Sequence, residues 1–120
     1  MMTHTLEPQV CRKVSEDLSQ LLADTYVLFL KTQNYHWNIT DPRFHSLHVF
    51  FEEQYKELLE QIDEAAERIR MLGEKTPGTM KHFLEITQLE EAGHNQSGND
   101  MIKHLALDHR TLSKWLRGKI

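Results

Sequence analysis

The sequence is poor in several features, and each shortage excludes a class of protein. Cys11 is the single cysteine, which excludes an internal disulfide framework and fits a reducing compartment. Fourteen Lys and Arg against eighteen Asp and Glu give a net charge of −4. The chain therefore lacks the basic surplus with which a protein binds DNA phosphates by diffuse attraction.

Long apolar runs are also missing. The longest, residues 26–30 and 49–51, are far shorter than the roughly 20 residues that span a bilayer. No basic-then-apolar leader opens the chain, so a cytoplasmic location without a membrane partner is expected. Glycine-rich phosphate loops, G-x-S-x-G and C-x-x-C are absent as well, and no stretch alternates with the period of a strand.

What the chain does contain is enough apolar material for one domain and an unusual number of histidines. Hydrophobic residues make up 39% of 120 residues, and eight are His. Apolar periodicity and turn residues predict an all-α fold with three long helices and a short one. We expect a tail over 1–14 and a domain over 15–120, with long helices from near Ser15, from Pro42 to Leu72 and from Asn99 onward, and the short one within 78–87.

The second predicted helix carries a stripe of metal-ligand residue types. His48 and Glu52 lie four residues apart, as do Asp63 and Glu67, so each pair shares a helical face. Taking His48 as zero, the other three lie at roughly 40°, 60° and 100° around the helix. The two pairs are nevertheless about 16 Å apart along the axis. One helix alone cannot bring all four residues to one ion.

The stripe is symmetric about the point between residues 57 and 58. Two copies packed antiparallel across a two-fold axis there would place each His48/Glu52 pair opposite an Asp63/Glu67 pair. His36, from the preceding helix, would be a fifth ligand. Mixed imidazole and carboxylate ligands suit iron, manganese or zinc, as in the di-iron carboxylate bundles.

Two plainer interpretations of the same residues stay open. Exposed helices often carry charges at this spacing, so Lys56, Arg68 or Arg70 could make Asp63 and Glu67 ordinary ion-pair partners. His48 could equally be a core or surface histidine with no ligand.

At these residues the sequence resembles the Dps family of miniferritins, the DNA-binding proteins from starved cells. The resemblance rests on the Y-H-W element, on an L-H pair whose histidine comes twelve residues after the first, and on a D-x-x-A-E-R-I-R ending. The segments that carry it are NYHWN (34–38), FHSLHVFFEEQYKELLEQIDEAAERIRMLGE (44–74), PGTMKHFLEITQLEE (77–91) and MIKHLALDHRTLSKWLR (101–117).

The resemblance implies a ferritin-like helical bundle in a bacterial cytoplasmic homo-oligomer. The family's twelve-subunit shells oxidise Fe(II) to Fe(III), usually with hydrogen peroxide, and store the ferric product, which protects against oxidative damage. By likeness, the metal ligands are His36, His48 and Glu52 of one subunit with Asp63 and Glu67 of its partner. Position 52 is often Asp in the family, and Glu is longer by one methylene.

The resemblance also gives Trp37, beside His36, a role as an electron donor. The alternative for this side chain is a large anchor in the hydrophobic core.

Two departures from the family limit what the resemblance implies. The amino-terminal segment carries only Arg12 and Lys13 as basic residues, opposed by Glu7, so DNA binding or nucleoid association is expected to be weak. The family has a fourth long helix, and none is predicted before Ile120, so we expect a carboxyl-terminally truncated domain with exposed apolar faces on its first and last helices. The alternative function is a non-catalytic helical interaction protein, or a fragment without a competent shell.

Overall fold

A computed structural model describes residues 7–119 and contains no β-strand in that range. Its four helices are α1 (Pro8–Asn38), α2 (Phe44–Met71), α3 (Met80–Ile86) and α4 (Gly98–Lys119). The predicted all-α fold with three long helices and one short helix is confirmed. Within residues 7–119, no helix combines the length and the apolar character that crossing a bilayer requires.

The first helix begins earlier than the sequence predicted. It starts at Pro8 rather than near Ser15, and both Cys11 and Ser15 are buried. Proline fits the first helical position because its missing N–H would have no helical acceptor there and its φ is already near the helical value. Residues 8–14 of the predicted tail therefore belong to α1, and residues 1–6 lie outside the described part of the chain.

A tight turn joins α1 to α2. Asp41 Oδ1 accepts hydrogen bonds from the Arg43 backbone N and from Arg43 Nε, both at 2.8 Å. These bonds, the side-chain bonds first, lower the pKa of Asp41 to about 2. Arg43 Nη2 also donates to Asn99 Oδ1 at 2.9 Å, at the start of α4. The turn makes α1 and α2 antiparallel neighbours, and it delays the start of α2 from Pro42 to Phe44.

The core lies mainly between α1 and α2. Its largest fully buried apolar side chains are Tyr35, Phe51, Leu22, Leu28 and Ile69. They lie at helical spacing along each helix, and Leu22 and Leu28 belong to the apolar spacing that predicted α1. Burial of these side chains fixes the rotation of α1 and α2 about their axes. That rotation decides which polar side chains meet near the turn.

A buried carboxylate holds the segment after α3 against α1. Asp24 is fully buried and accepts hydrogen bonds from Thr87 Oγ1 at 2.6 Å and from the Gln88 backbone N and Nε2, each at 2.8 Å. Gln20 Nε2 donates to the same carboxylate at 3.1 Å. The bonds supply the partners that a buried carboxylate needs. Sequence analysis did not predict these hydrogen bonds to Asp24.

Helix α4 packs on α1 with one face and leaves another uncovered in the single chain. Met101, Leu105 and Leu112 are buried. Helical spacing from these residues predicts Ile102 and Leu116 on the same inner side, but their side chains are 36% and 39% exposed. The expectation of exposed apolar surface on the first and last helices is confirmed for the single chain. The exposed large apolar side chains of α1 and α4 are Val10, Val14, Leu30, Trp37, Ile102, Leu107 and Leu116.

An ion pair fixes α4 against α1. Lys31 Nζ lies 2.8 Å from Asp108 Oδ2, and the two side chains are only 5% and 13% exposed. Lys31→Met should destabilise the fold by about 3 kcal/mol because it leaves the Asp108 charge without its partner. Lys31→Met with Asp108→Leu should restore most of that loss, as measured by urea unfolding followed by circular dichroism. If the single and double variants lose the same free energy of unfolding, the unpaired charge of Asp108 is not the cause of the loss.

Candidate metal centre

Two histidines face each other where α1 ends and α2 begins. Their rings stack with centroids 3.7 Å apart and planes inclined by 20°. His36 Nδ1 lies 2.7 Å from the backbone oxygen of His48, and His48 Nδ1 lies 2.7 Å from the backbone oxygen of His36. The antiparallel packing of α1 and α2 allows this reciprocal pairing, since each ring lies against the backbone of the other helix.

The pairing determines which nitrogen of each ring carries a proton. A carbonyl oxygen only accepts hydrogen bonds, so both Nδ1 atoms must carry a proton and donate. In the neutral form each Nε2 then has a free lone pair, which is the atom that binds a metal. Hydrogen bonding of the other ring nitrogen to a backbone carbonyl is the usual way in which proteins orient a ligating histidine. His36 and His48 therefore form a preorganised pair of nitrogen donors.

Glu52, one turn further along α2 from His48, completes a three-residue cluster. One potential ligand atom each from His36, His48 and Glu52 lies within 4.8 Å of the others. Glu52 Oε1 is 3.7 Å from His36 Nε2. Two imidazole nitrogens and one carboxylate form a donor set for iron, manganese or zinc. The structure thus brings together three of the five predicted ligands.

The other carboxylate oxygen of Glu52 faces a cation. Lys56 Nζ donates to Glu52 Oε2 at 2.8 Å. This bond, together with the positive charge of Lys56, lowers the pKa of Glu52. One oxygen of Glu52 is therefore held in an ion pair with Lys56, a partner that the sequence analysis had offered to Asp63 and Glu67 instead. Its second oxygen remains directed toward the histidines.

Asp63 and Glu67 form a separate acidic pair in the single chain. Both are exposed, and neither pairs with Lys or Arg among residues 7–119, where Arg68 binds Glu64 instead. A hydrogen bond shared with Asp63, and the negative charge of Asp63, raise the pKa of Glu67. A nearby cation would relieve this repulsion between like charges. The chain does not bring the pair to the histidine cluster, as the distance along the helix predicted.

The surroundings of the cluster contain exposed apolar side chains. Trp37 is 60% exposed, so the alternative of a core anchor is wrong for the single chain. Leu59, which lies on the ligand stripe between Glu52 and Asp63, is 50% exposed. Leu59 therefore adds apolar surface to the otherwise charged stripe of α2.

Sequence analysis missed two ring neighbours of the cluster, Tyr55 and Phe44, the latter stacked on His48 with centroids 5.0 Å apart. The ring of Tyr55 packs edge-on against His36, with centroids 5.3 Å apart. Tyr55 follows His48 by seven residues, the spacing that returns a helix to the same face, so the pattern could have identified it. Elsewhere His45 is exposed, and His104 Nδ1 lies 2.7 Å from the Gln96 side chain.

The chain is similar to known proteins over most of its length. The family model described as Ferritin-like domain matches residues 15–120. The DNA protection during starvation protein 2 of Bacillus anthracis is 40% identical over 101 residues, covering 84% of this chain and 69% of that protein. A low temperature-induced protein of Nostoc sp. is 44% identical over 104 residues, or 86% of this chain, but the match spans 58% of its own length.

Solved structures give the same result. The crystal structure of Dps from Staphylococcus aureus matches with a TM-score of 0.87 and 37% identity, covering 89% of this chain and 72% of that one. A DPS protein from Vibrio cholerae O1 matches with a TM-score of 0.92 and 32% identity over 98% of this chain and 76% of that one. Its description places it in a broad superfamily of ferritin-like diiron-carboxylate proteins.

Proposed function

Because the chain belongs to the Dps family of ferritin-like proteins, we propose that it binds Fe(II) between two copies of itself and oxidises it. The observation that carries the proposal is the cluster of His36, His48 and Glu52, whose two bare Nε2 atoms and free carboxylate oxygen form half of a metal site. The remaining ligands are the partner subunit's Asp63 and Glu67.

The symmetry of α2 supports this arrangement. Each member of the cluster on α2 has its acidic counterpart at the same distance beyond the midpoint between residues 57 and 58. An antiparallel contact at that midpoint is isologous, so it generates two identical sites. Phe44 and Met71 are also symmetric about the midpoint, and they are 47% and 48% exposed. Leu59 lies near the axis, where it would supply an apolar centre for the contact.

The chemistry follows from the ligands. Hydrogen peroxide takes one electron from each of two Fe(II) ions and two protons from solvent, and it leaves as two molecules of water. The added carboxylates stabilise the higher charge of Fe(III), a hard cation that prefers oxygen ligands. Fe(II) and Fe(III) are substrate and product here. The proposed role is to store ferric iron in a twelve-subunit shell and thereby to limit oxidative damage.

Anaerobic titration with Fe(II), followed by peroxide, tests the activity. Ultraviolet absorbance should rise as Fe(III) forms, and the chain without iron should show no such rise.

Binding of DNA is expected to be weak and to fall further as salt increases, since the amino-terminal segment has few basic residues. A gel shift at two salt concentrations measures it.

The rival function is a helical interaction protein without catalysis, and particle mass discriminates between the two. We expect size-exclusion chromatography with light scattering to show an assembly built from dimers, up to twelve subunits. Leu59→Glu should reduce the mass because it places a charge at the centre of the two-fold contact, whereas Leu59→Met keeps apolar character and volume and should not. A monomer for the unaltered chain, or an assembly that Leu59→Glu leaves intact, contradicts the proposed interface.

A further inference from the structure

A row of aromatic rings leads from the metal centre through the bundle. The His36 ring contacts Tyr55 with centroids 5.3 Å apart, and Tyr55 contacts Phe29 at 5.8 Å. Phe29 contacts Tyr26 at 5.7 Å, and Tyr26 stacks on Phe83 at 4.9 Å. The row crosses from α2 through α1 to α3. It therefore connects the histidine cluster with the opposite side of the α1–α2 pair.

Two members of the row, Tyr55 and Tyr26, have a phenol that a strong oxidant can oxidise by one electron. A phenol loses an electron together with its hydroxyl proton, whereas phenylalanine has no such proton and serves only as a bridge between rings. Tyr55 and Tyr26 are both partly exposed, so the released proton has a route to water. Tyr35, although adjacent to His36 in sequence, is fully buried and packs on Phe51 instead.

The far end of the row opens at the surface. Tyr26 and Phe83 line a cavity of about 290 Å³ between α1 and α3, together with Leu30, Met80 and Leu84. An oxidised Tyr26 would therefore lie away from the iron and within reach of a small reductant in solvent.

We propose that Tyr55 donates an electron to the metal centre and that Tyr26, connected through Phe29, is the second position where the resulting radical resides. The inference rests on the proposed function, because the oxidant is the hydrogen peroxide that the iron centre reduces. It concerns a site that holds a single Fe(II), where the metal supplies one electron and peroxide needs two.

The step balances as follows. Fe(II) gives one electron and becomes Fe(III), and the Tyr55 phenol gives one electron and one proton and becomes a phenoxyl radical. Peroxide accepts both electrons, that proton and one more from solvent, and it leaves as two water molecules. The Tyr55 radical then takes an electron from Tyr26 through Phe29 and a proton from solvent, while Tyr26 releases its hydroxyl proton to solvent and becomes the radical. No hydroxyl radical is released.

Trp37 is the donor that the family resemblance implied, and its geometry differs from that of Tyr55. Its side chain is 60% exposed, and among residues 7–119 it makes no ring contact with either histidine of the cluster. Tyr55 is in direct ring contact with His36. Replacing each residue separately distinguishes the two donors.

The test uses the chain loaded anaerobically with one Fe(II) per cluster and then mixed with one equivalent of peroxide. Freeze-quench electron paramagnetic resonance measures tyrosyl radical, and ultraviolet absorbance measures Fe(III) in the same samples. Tyr55→Phe should lose most of the radical while retaining the fold. Tyr35→Phe, the matched control, and Trp37→Phe should both keep the tyrosyl signal.

Mass spectrometry of oxidised peptides tests the second position. Oxidation products should appear at both Tyr26 and Tyr55 in the unaltered chain, and at Tyr55 alone in Phe29→Leu, where the bridging ring is lost. If iron is oxidised but Tyr55→Phe gives the same radical yield as the unaltered chain, the inference is overturned and the proposed function stands. If peroxide oxidises no iron in the unaltered chain, both are overturned.

Discussion

Replacing His48 and Asp63 together by alanine should suppress the peroxide-dependent rise in ultraviolet absorbance. The change removes one nitrogen donor from the cluster and one acid from the position that faces the partner subunit's cluster. Loss of residues that merely orient metal ligands costs about 10–100-fold in affinity or activity. Loss of two ligands should cost at least as much, measured as the initial rate of Fe(III) formation after anaerobic loading.

A matched control comes from the same helix. His45 is exposed, and Glu64 is paired with Arg68, so neither belongs to the proposed centre. His45→Ala with Glu64→Ala likewise removes one histidine and one carboxylate and should leave the rate unchanged. Equal rates for His48→Ala/Asp63→Ala and this control would remove the site assignment.

Mixing two inactive variants should restore iron oxidation. One variant carries His36→Ala with His48→Ala, and the other carries Asp63→Asn with Glu67→Gln. When assembled alone, each variant lacks two of the five proposed ligands in every site. In a mixed dimer, one site collects all the altered residues and the other has its full set of ligands. If the two chains pair at random, about a quarter of the sites regain every ligand.

The mixing experiment tests the sharing of ligands between chains, which no single variant does. The two variants are unfolded together, refolded together and compared with a blend of separately folded assemblies, which should remain inactive. Activity in either variant alone would place a complete site within one chain. Failure of the refolded mixture, at an assembly mass equal to that of the unaltered chain, would contradict an inter-subunit centre.

Much of the fold could be predicted because the information for it is local. Apolar spacing predicted the buried stripe of α1, including Leu22 and Leu28, since a helix repeats every 3.6 residues in any surroundings. The second helix, α2, was predicted from the turn residues at its two ends and from the absence of proline and glycine between them. The start of α1 was predicted incorrectly because Pro8 was taken as a break, although proline is also tolerated at the first helical position. Ile102 and Leu116 were assigned to the inner side from the same periodicity, which cannot reveal whether a neighbouring element covers that side.

Spacing on one helix also predicted which ligand types share a face, but it could not show which of them meet. His48 and Glu52 are a turn apart, so their proximity is a property of the helix itself. The contact of His36 with His48, the reciprocal hydrogen bonds that free both Nε2 atoms, and the position of Tyr55 depend on how α1 and α2 pack.

The sequence by itself determined that this protein is helical, that α2 carries a symmetric stripe of metal ligands, and that its family resemblance is to Dps. Those properties depend on residue order and on the fixed geometry of a helix. Only the tertiary structure decided that His36 joins His48 and Glu52 in one cluster, whereas the separation of Asp63 and Glu67 from that cluster already followed from helix geometry. The reason is that a rigid α2 holds its two ligand pairs too far apart for one ion, whereas the turn at residues 39–43 folds α1 back and brings distant residues into contact.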